Sequence, residues 1–135
     1  MNIKQILISI VVSLISLNSI ADENWIPVVS SKLSKIDINV DSIKKITIDS
    51  PKATHKAWLK MTMNNDDETR TSRRGDEFIS LNYFDCNNQL IGTKSLTIYR
   101  NNDVINTQQY SSVEMRDPIP GSTFNVVLNY VCSQY

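Results

Sequence analysis

Residues 53–63 alternate more regularly than any other stretch of the chain. His55, Ala57, Leu59, Met61 and Met63 take one parity, and Thr54, Lys56, Trp58, Lys60 and Thr62 take the other. A period of two with one apolar side is that of a half-buried strand. Trp25–Val29 and Lys35–Ile38 read as shorter strands around the polar turn Ser30-Ser31-Lys32, and Asp41-Ser42-Ile43 as a single helical turn opened by an Asx cap. Ile46-Thr47-Ile48 leads into Asp49-Ser50-Pro51-Lys52, a turn in which proline fixes φ. Glu77–Cys86 and Leu90–Arg100 read as two strands joined by Asn87-Asn88-Gln89. The first carries Phe78, Phe84 and Cys86 on one face and Ile79, Leu81 and Tyr83 on the other, which predicts a central strand covered on both sides. Asn101-Asn102-Asp103 turns into Val104–Tyr110, a weaker strand suited to a sheet edge. Residues 64–75 contain no apolar side chain, which predicts an exposed, mobile connection, long for a compact domain.

Asp117-Pro118-Ile119-Pro120-Gly121 ends the β region, because two prolines and a glycine deny the backbone both ladder and helix. Ser122 then suits a helix cap. Phe124, Val127, Leu128, Val131, Cys132 and Tyr135 follow at helical spacing as one apolar stripe. Valines lower the intrinsic propensity, so packing has to hold this helix. Its stripe contains Cys132, and the covered face of a strand presents Cys86. The pattern therefore predicts an α+β fold: an antiparallel sheet of about six strands with a C-terminal helix stapled across one face.

The first 21 residues read as an address. Lys4 precedes the uncharged run Ile6–Leu17, and Ser19 and Ala21 place small residues before a cut ahead of Asp22-Glu23. The run is shorter than the roughly 20 residues a bilayer requires and lacks a basic flank. A signal peptide over 1–21 and one domain over 22–135 are expected, with no transmembrane segment in the mature chain. No cysteine lies near the cut, so a lipid anchor is not expected. The 135-residue chain has 14 basic and 14 acidic side chains, and loss of the leader leaves a formal charge of −1. No global field gathers nucleic acid. In an oxidising compartment the two cysteines, Cys86 and Cys132, favour one disulfide. Zinc would need more ligands than the sequence supplies at suitable spacing, and a catalytic thiol would need His55, the only histidine.

His55 lies on the apolar side of its strand, where a packed structural histidine is the plain reading and haem ligation the functional one. Lys56, Trp58 and Lys60 share the opposite side, where an indole between two ammonium groups suits an anionic or planar ligand. The plain alternative is a tryptophan covered by lysine stems. Arg70, Arg73 and Arg74 stand beside Asp66, Asp67 and Glu68 in the long connection, which reads as a neutralising solvated loop or as a partner-binding one. Phosphate cradles, nucleophile elbows and paired catalytic carboxylates are missing, so no enzyme, cofactor or metal is expected.

Trp25-x-Pro27, Ile36-Asp37, Trp58, Tyr83-Phe84-Asp85-Cys86 and Pro118-x-Pro120-Gly121-Ser122 leading to Tyr130-Val131-Cys132 resemble the surface-adhesin protein E family over nearly the whole mature chain. The resemblance implies a six-stranded antiparallel sheet with a C-terminal helix tied to its concave side. It also implies a non-catalytic cell-surface adhesin with a part in virulence, which binds host matrix proteins such as vitronectin or laminin, takes part in haem acquisition and forms a homodimer. Unlike the lipid-anchored adhesin of that family, this leader offers no lipid-accepting cysteine. The location expected of the exported chain is the periplasm, the cell surface or, as a secreted protein, the medium. The alternative function is that of a periplasmic protein that binds a small ligand such as haem, through His55, Trp58 and Met61, or has an unassigned accessory role.

Overall fold

The computed structural model describes residues 24–47 and 53–134. The expected leader, the Asp49–Lys52 turn and Tyr135 lie outside them. Seven strands are β1 (Trp25–Ser30), β2 (Ser34–Asn39), β3 (Lys44–Lys45), β4 (His55–Met63), β5 (Glu77–Asp85), β6 (Leu90–Arg100) and β7 (Asp103–Gln109), followed by helix α1 (Thr123–Ser133). One antiparallel sheet runs β1-β2-β4-β5-β6-β7, with β3 paired to β4 beyond the end of β2. The α+β architecture matches the one predicted from the residue pattern.

Alternation in β4 decides which face is which. Ala57 and Leu59 are buried with Ile36 and Ile38 of β2 and Phe84 of β5, and α1 lies over them through Val127, Leu128 and Val131. Ser122 caps the helix, its Oγ accepting from the Asn125 N–H at 3.3 Å. A disulfide joins Cys86, just past β5, to Cys132 near the helix end, with the Cα atoms 5.4 Å apart. Apolar burial and the cross-link therefore act on the same contact. The stripe does not hold to its start: Phe124 is 42% exposed, because the N-terminal turn of α1 overhangs a groove rather than the core.

Local turns follow from side-chain chemistry. Asn101 and Asn102 both take positive φ, the type I′ geometry that a two-residue hairpin between β6 and β7 requires. The Asp85 carboxylate accepts from the Asn87 and Asn88 N–H groups and holds the β5–β6 turn. The short 3-10 turn Val40–Ser42 is capped by Asn39, whose Oδ1 accepts from the Asp41 N–H at 3.1 Å. The Asx cap expected in this region is thus Asn39.

Three features depart from the sequence reading. Pairing on the far side of the 3-10 turn falls on Lys44–Lys45, a segment with no apolar pattern. β5 is covered on both faces only from Asn82 to Asp85; toward its start Phe78, on the helix face, and Ile79 and Leu81, on the other, stay half-buried. The 64–75 connection, expected to be mobile, is tied internally. Thr69 and Thr71 donate to Asp67, the Arg74 N–H donates to Asp66, and the Arg73 N–H donates to Asp76.

After β7 the chain returns to the edge of β6, where Arg116 and Ile91 exchange backbone hydrogen bonds of 2.9 Å. On the way it crosses Gly92. A Cβ there would stand 2.5 Å from a Val113 methyl and 2.7 Å from the Glu114 carbonyl oxygen. Gly92→Ala is expected to cost about 1–3 kcal/mol through forced displacement of this strap. Thermal unfolding together with amide exchange at Val113–Arg116 checks it; an unchanged melting temperature would contradict the close approach.

Candidate functional site

The face of the sheet away from the helix is open. Its middle is β4, where Lys56, Trp58 and Lys60 point outward and Trp58 is 38% exposed. The Trp58 N–H donates to Ser42 Oγ at 2.8 Å, so the 3-10 turn takes over where β2 leaves the ladder. Trp25 of β1 joins the same surface, and the Lys60 ammonium sits 4.7 Å from its ring centroid, a cation–π contact. Asp37, opposite Lys60 in the β2–β4 register, pairs with Lys35 at 3.6 Å. Lys44 lies directly across from Lys56. Four of the residues on this surface are therefore two indoles and two unpaired cations, Lys44 and Lys56, neither of which forms an ion pair among the described residues.

His55 is not part of this surface. It is buried on the helix side beneath the disulfide, with Nδ1 2.9 Å from Thr54 Oγ1 and 3.4 Å from Cys86 Sγ. Thr54 Oγ1 also accepts from the Cys86 N–H at 3.0 Å. Burial pushes the His55 pKa below the ordinary value of 6.5, and the positive charge of Lys45 adds to the shift. The ring is held neutral. Met61 shares the helix side, so Trp58 stands across the sheet from both residues with which a haem site would have grouped it. Both cysteines are in the disulfide, which leaves no thiol for a Cys–His nucleophile.

Arg70, Arg73 and Arg74 are carried by the 64–76 connection, at the end of the sheet where β4 meets β5. All three are exposed, whereas Asp76 behind them is 1% exposed. The fixed point of the segment is Asp76, which the sequence reading missed. Arg100 of β6 grips its carboxylate with two hydrogen bonds, Nε to Oδ1 at 2.9 Å and Nη2 to Oδ2 at 2.7 Å. Arg100 Nη2 also donates to the Thr71 carbonyl at 3.2 Å. The guanidinium holds Asp76 below the ordinary carboxylate value of 3.8 despite its burial. Nothing in residue spacing announces a pair 24 positions apart.

These two groups give stability a common pH sense. Folded His55 resists the proton that the unfolded chain takes near 6.5, and folded Asp76 resists the one taken near 3.8. In both, the unfolded state binds more protons as pH falls, so stability is present above those values and lost below them. The melting temperature is expected to decline as pH drops through 6.5 and more steeply below 3.8. Asp76→Asn should melt lower at neutral pH and show a shallower acid limb. Parallel acid limbs in the two proteins would contradict the assignment.

On the helix side, Asn82, Thr93, Tyr110, Arg116, Ile119 and Phe124 help line a groove of about 760 Å³ between the strap and the start of α1. Its floor is polar, with the Thr93 hydroxyl donating to Asn82 Oδ1 at 3.0 Å. Among the described residues no three His, Cys, Asp or Glu side chains converge as a metal site, and no helix is long and apolar enough to cross a membrane.

A single antiparallel sheet, open on one face and covered on the other by a cross-linked C-terminal helix, defines the structural class. The particular family follows from the sequence: the surface-adhesin protein E model matches residues 25–133, from the start of β1 to the end of α1, and the chain belongs to that family. No curated protein and no solved structure matches the chain.

Proposed function

We propose that this protein is an exported, adhesin-like binding module that works by surface contact and not by turnover. The observation that carries the reading is the family match over the whole folded domain. The open outer face supports it, since it presents two indoles and several lysines on rigid strands instead of in a cleft. Residues 1–21 serve as a cleaved leader in this reading, and the mature chain is displayed at the cell surface. Its partners are host matrix proteins of the vitronectin and laminin kind. The outer-face residues Lys56, Trp58 and Lys60 form the first contact surface, and the arginines of the 64–76 connection a second.

Intact cells test the cellular half of this proposal. Antibody labelling and added protease should reach the protein without permeabilisation, and its N-terminus should begin at Asp22. Protection from both reagents until the outer membrane is opened would place it in the periplasm and end the adhesin reading. The small-ligand alternative has less support, because His55 is buried against the disulfide and Trp58 lies on the other side of the sheet.

A further inference from the structure

We propose that the outer-face strip formed by Lys44, Lys56 and Trp58, flanked by the Lys60–Trp25 pair, binds a sulfated polysaccharide chain. The inference rests on the reading of the protein as an adhesin-like module and names a ligand class for its open face. Its starting point is the register of β3, which sets Lys44 directly opposite Lys56. Directly opposed side chains on one sheet face have Cβ atoms about 5 Å apart, and like charges there are destabilising. No carboxylate of the described residues relieves either lysine within ion-pair distance. The intervening residues 48–52 add one aspartate and one lysine, and so no net charge. Lys45, the other residue of β3, lies directly across from His55 on the helix side and does not enter the strip. A chain with balanced overall charge thus concentrates cations at one end of β4.

Trp58 gives the strip its second property. At about 3.3 Å of rise per residue, Lys56 and Lys60 stand roughly 13 Å apart along β4, with the exposed indole midway. The electron-rich face of an indole attracts the positively polarised C–H groups on the flat side of a pyranose ring, as it attracts cations. Ammonium groups on either side pair with sulfate. The three side chains stand on open sheet, which suits a chain passing over the surface. A nucleic acid would engage a broader basic field than this protein has, and a lipid surface would be met by protruding apolar side chains, not by a flat ring between lysines.

The test uses the disulfide-intact mature domain, with heparin as the probe. Wild type should bind immobilised heparin, release with rising salt, and bind desulfated heparin and phosphatidylserine vesicles far more weakly. Lys44→Glu with Lys56→Glu should lower heparin affinity at least about tenfold. Trp58→Ala should lower it severalfold at unchanged salt dependence, while Lys32→Glu, in the β1–β2 turn, should leave it close to wild type. Melting curves confirm that each variant is folded, and the Lys44→Gln, Lys56→Gln pair repeats the test without charge reversal. Equal loss with Lys32→Glu, equal binding of desulfated chains or equal binding of vesicles would overturn the proposal. Absence of heparin binding with retained laminin or vitronectin binding would sink this inference alone; the reverse pattern would sink the matrix-protein reading and leave this one standing.

Discussion

Replacing Cys86 and Cys132 together by serine is expected to be the most destabilising change available outside the core itself. The bond closes a loop of 46 positions, and in the chain-entropy account such a closure contributes about 4 kcal/mol by restricting the unfolded ensemble. Small domains have only about 5–15 kcal/mol in total, so this is a large share. The melting temperature should fall by on the order of 20 °C for a domain of this size. The loss should also be uneven. α1 follows Pro118 and Pro120 and is the last element among the described residues, and the packing of Val127, Leu128 and Val131 is what then holds it to the sheet. Its amides are expected to exchange faster than those of β4 and β5 in the serine variant. A mass increase of two hydrogens on reduction, followed by a melting curve of the reduced protein, provides the check. A reduced protein as stable as the oxidised one would show that the cross-link adds nothing to the packing.

The second large effect contrasts the two faces of the sheet. Phe84 is fully buried on β5 between His55 of β4 and Ile91 of β6, under the helix. Phe84→Ala is expected to cost about 3–5 kcal/mol, because the ring leaves a cavity that strands on both sides cannot close. Trp58, one strand away on the opposite face, is 38% exposed and gives up far less contact on truncation. Trp58→Ala should therefore cost under about 1 kcal/mol while reducing binding, in keeping with a surface residue outside the packed core. Denaturant unfolding of the two variants measures the contrast. Similar losses in both would mean that the outer face is structural and that its indole is not displayed for a partner.

The parts of the fold legible in the sequence were those with a strong physical asymmetry. β4 could be read because Ala57, Leu59, Met61 and Met63 recur at every second position with Lys56, Lys60 and Thr62 on the other parity, and the helix because Val127, Leu128 and Val131 fall on one side with Ser122 ahead of them. The disulfide followed from two cysteines in a chain whose first 21 residues read as a secretory leader. β3 was illegible, since Lys44 and Lys45 have no apolar partner and owe their strand geometry to the ladder with β4. For the same reason the cation that most changes the outer face, Lys44, could not be grouped with Lys56 and Trp58 beforehand. The Asp76–Arg100 bond joins a polar loop to the end of β6, next to β5 in the sheet, and charge content alone gave many equivalent pairings. The strap over Gly92 had a faint trace, a lone glycine inside a strand pattern, which signals close approach of another backbone without saying which one. The groove beside Phe124 was hidden by the regularity of the helical stripe, which predicts burial for a residue that the end of the helix leaves half in solvent.

The face that binds and the face that folds are separate in this account, and the central claim is that the first of them meets host matrix proteins. Surface plasmon resonance of the oxidised mature domain over immobilised laminin and vitronectin tests it most directly. The account predicts saturable, salt-sensitive binding that Trp58→Ala weakens without loss of fold; no binding to either protein by a correctly folded, disulfide-intact domain would contradict it.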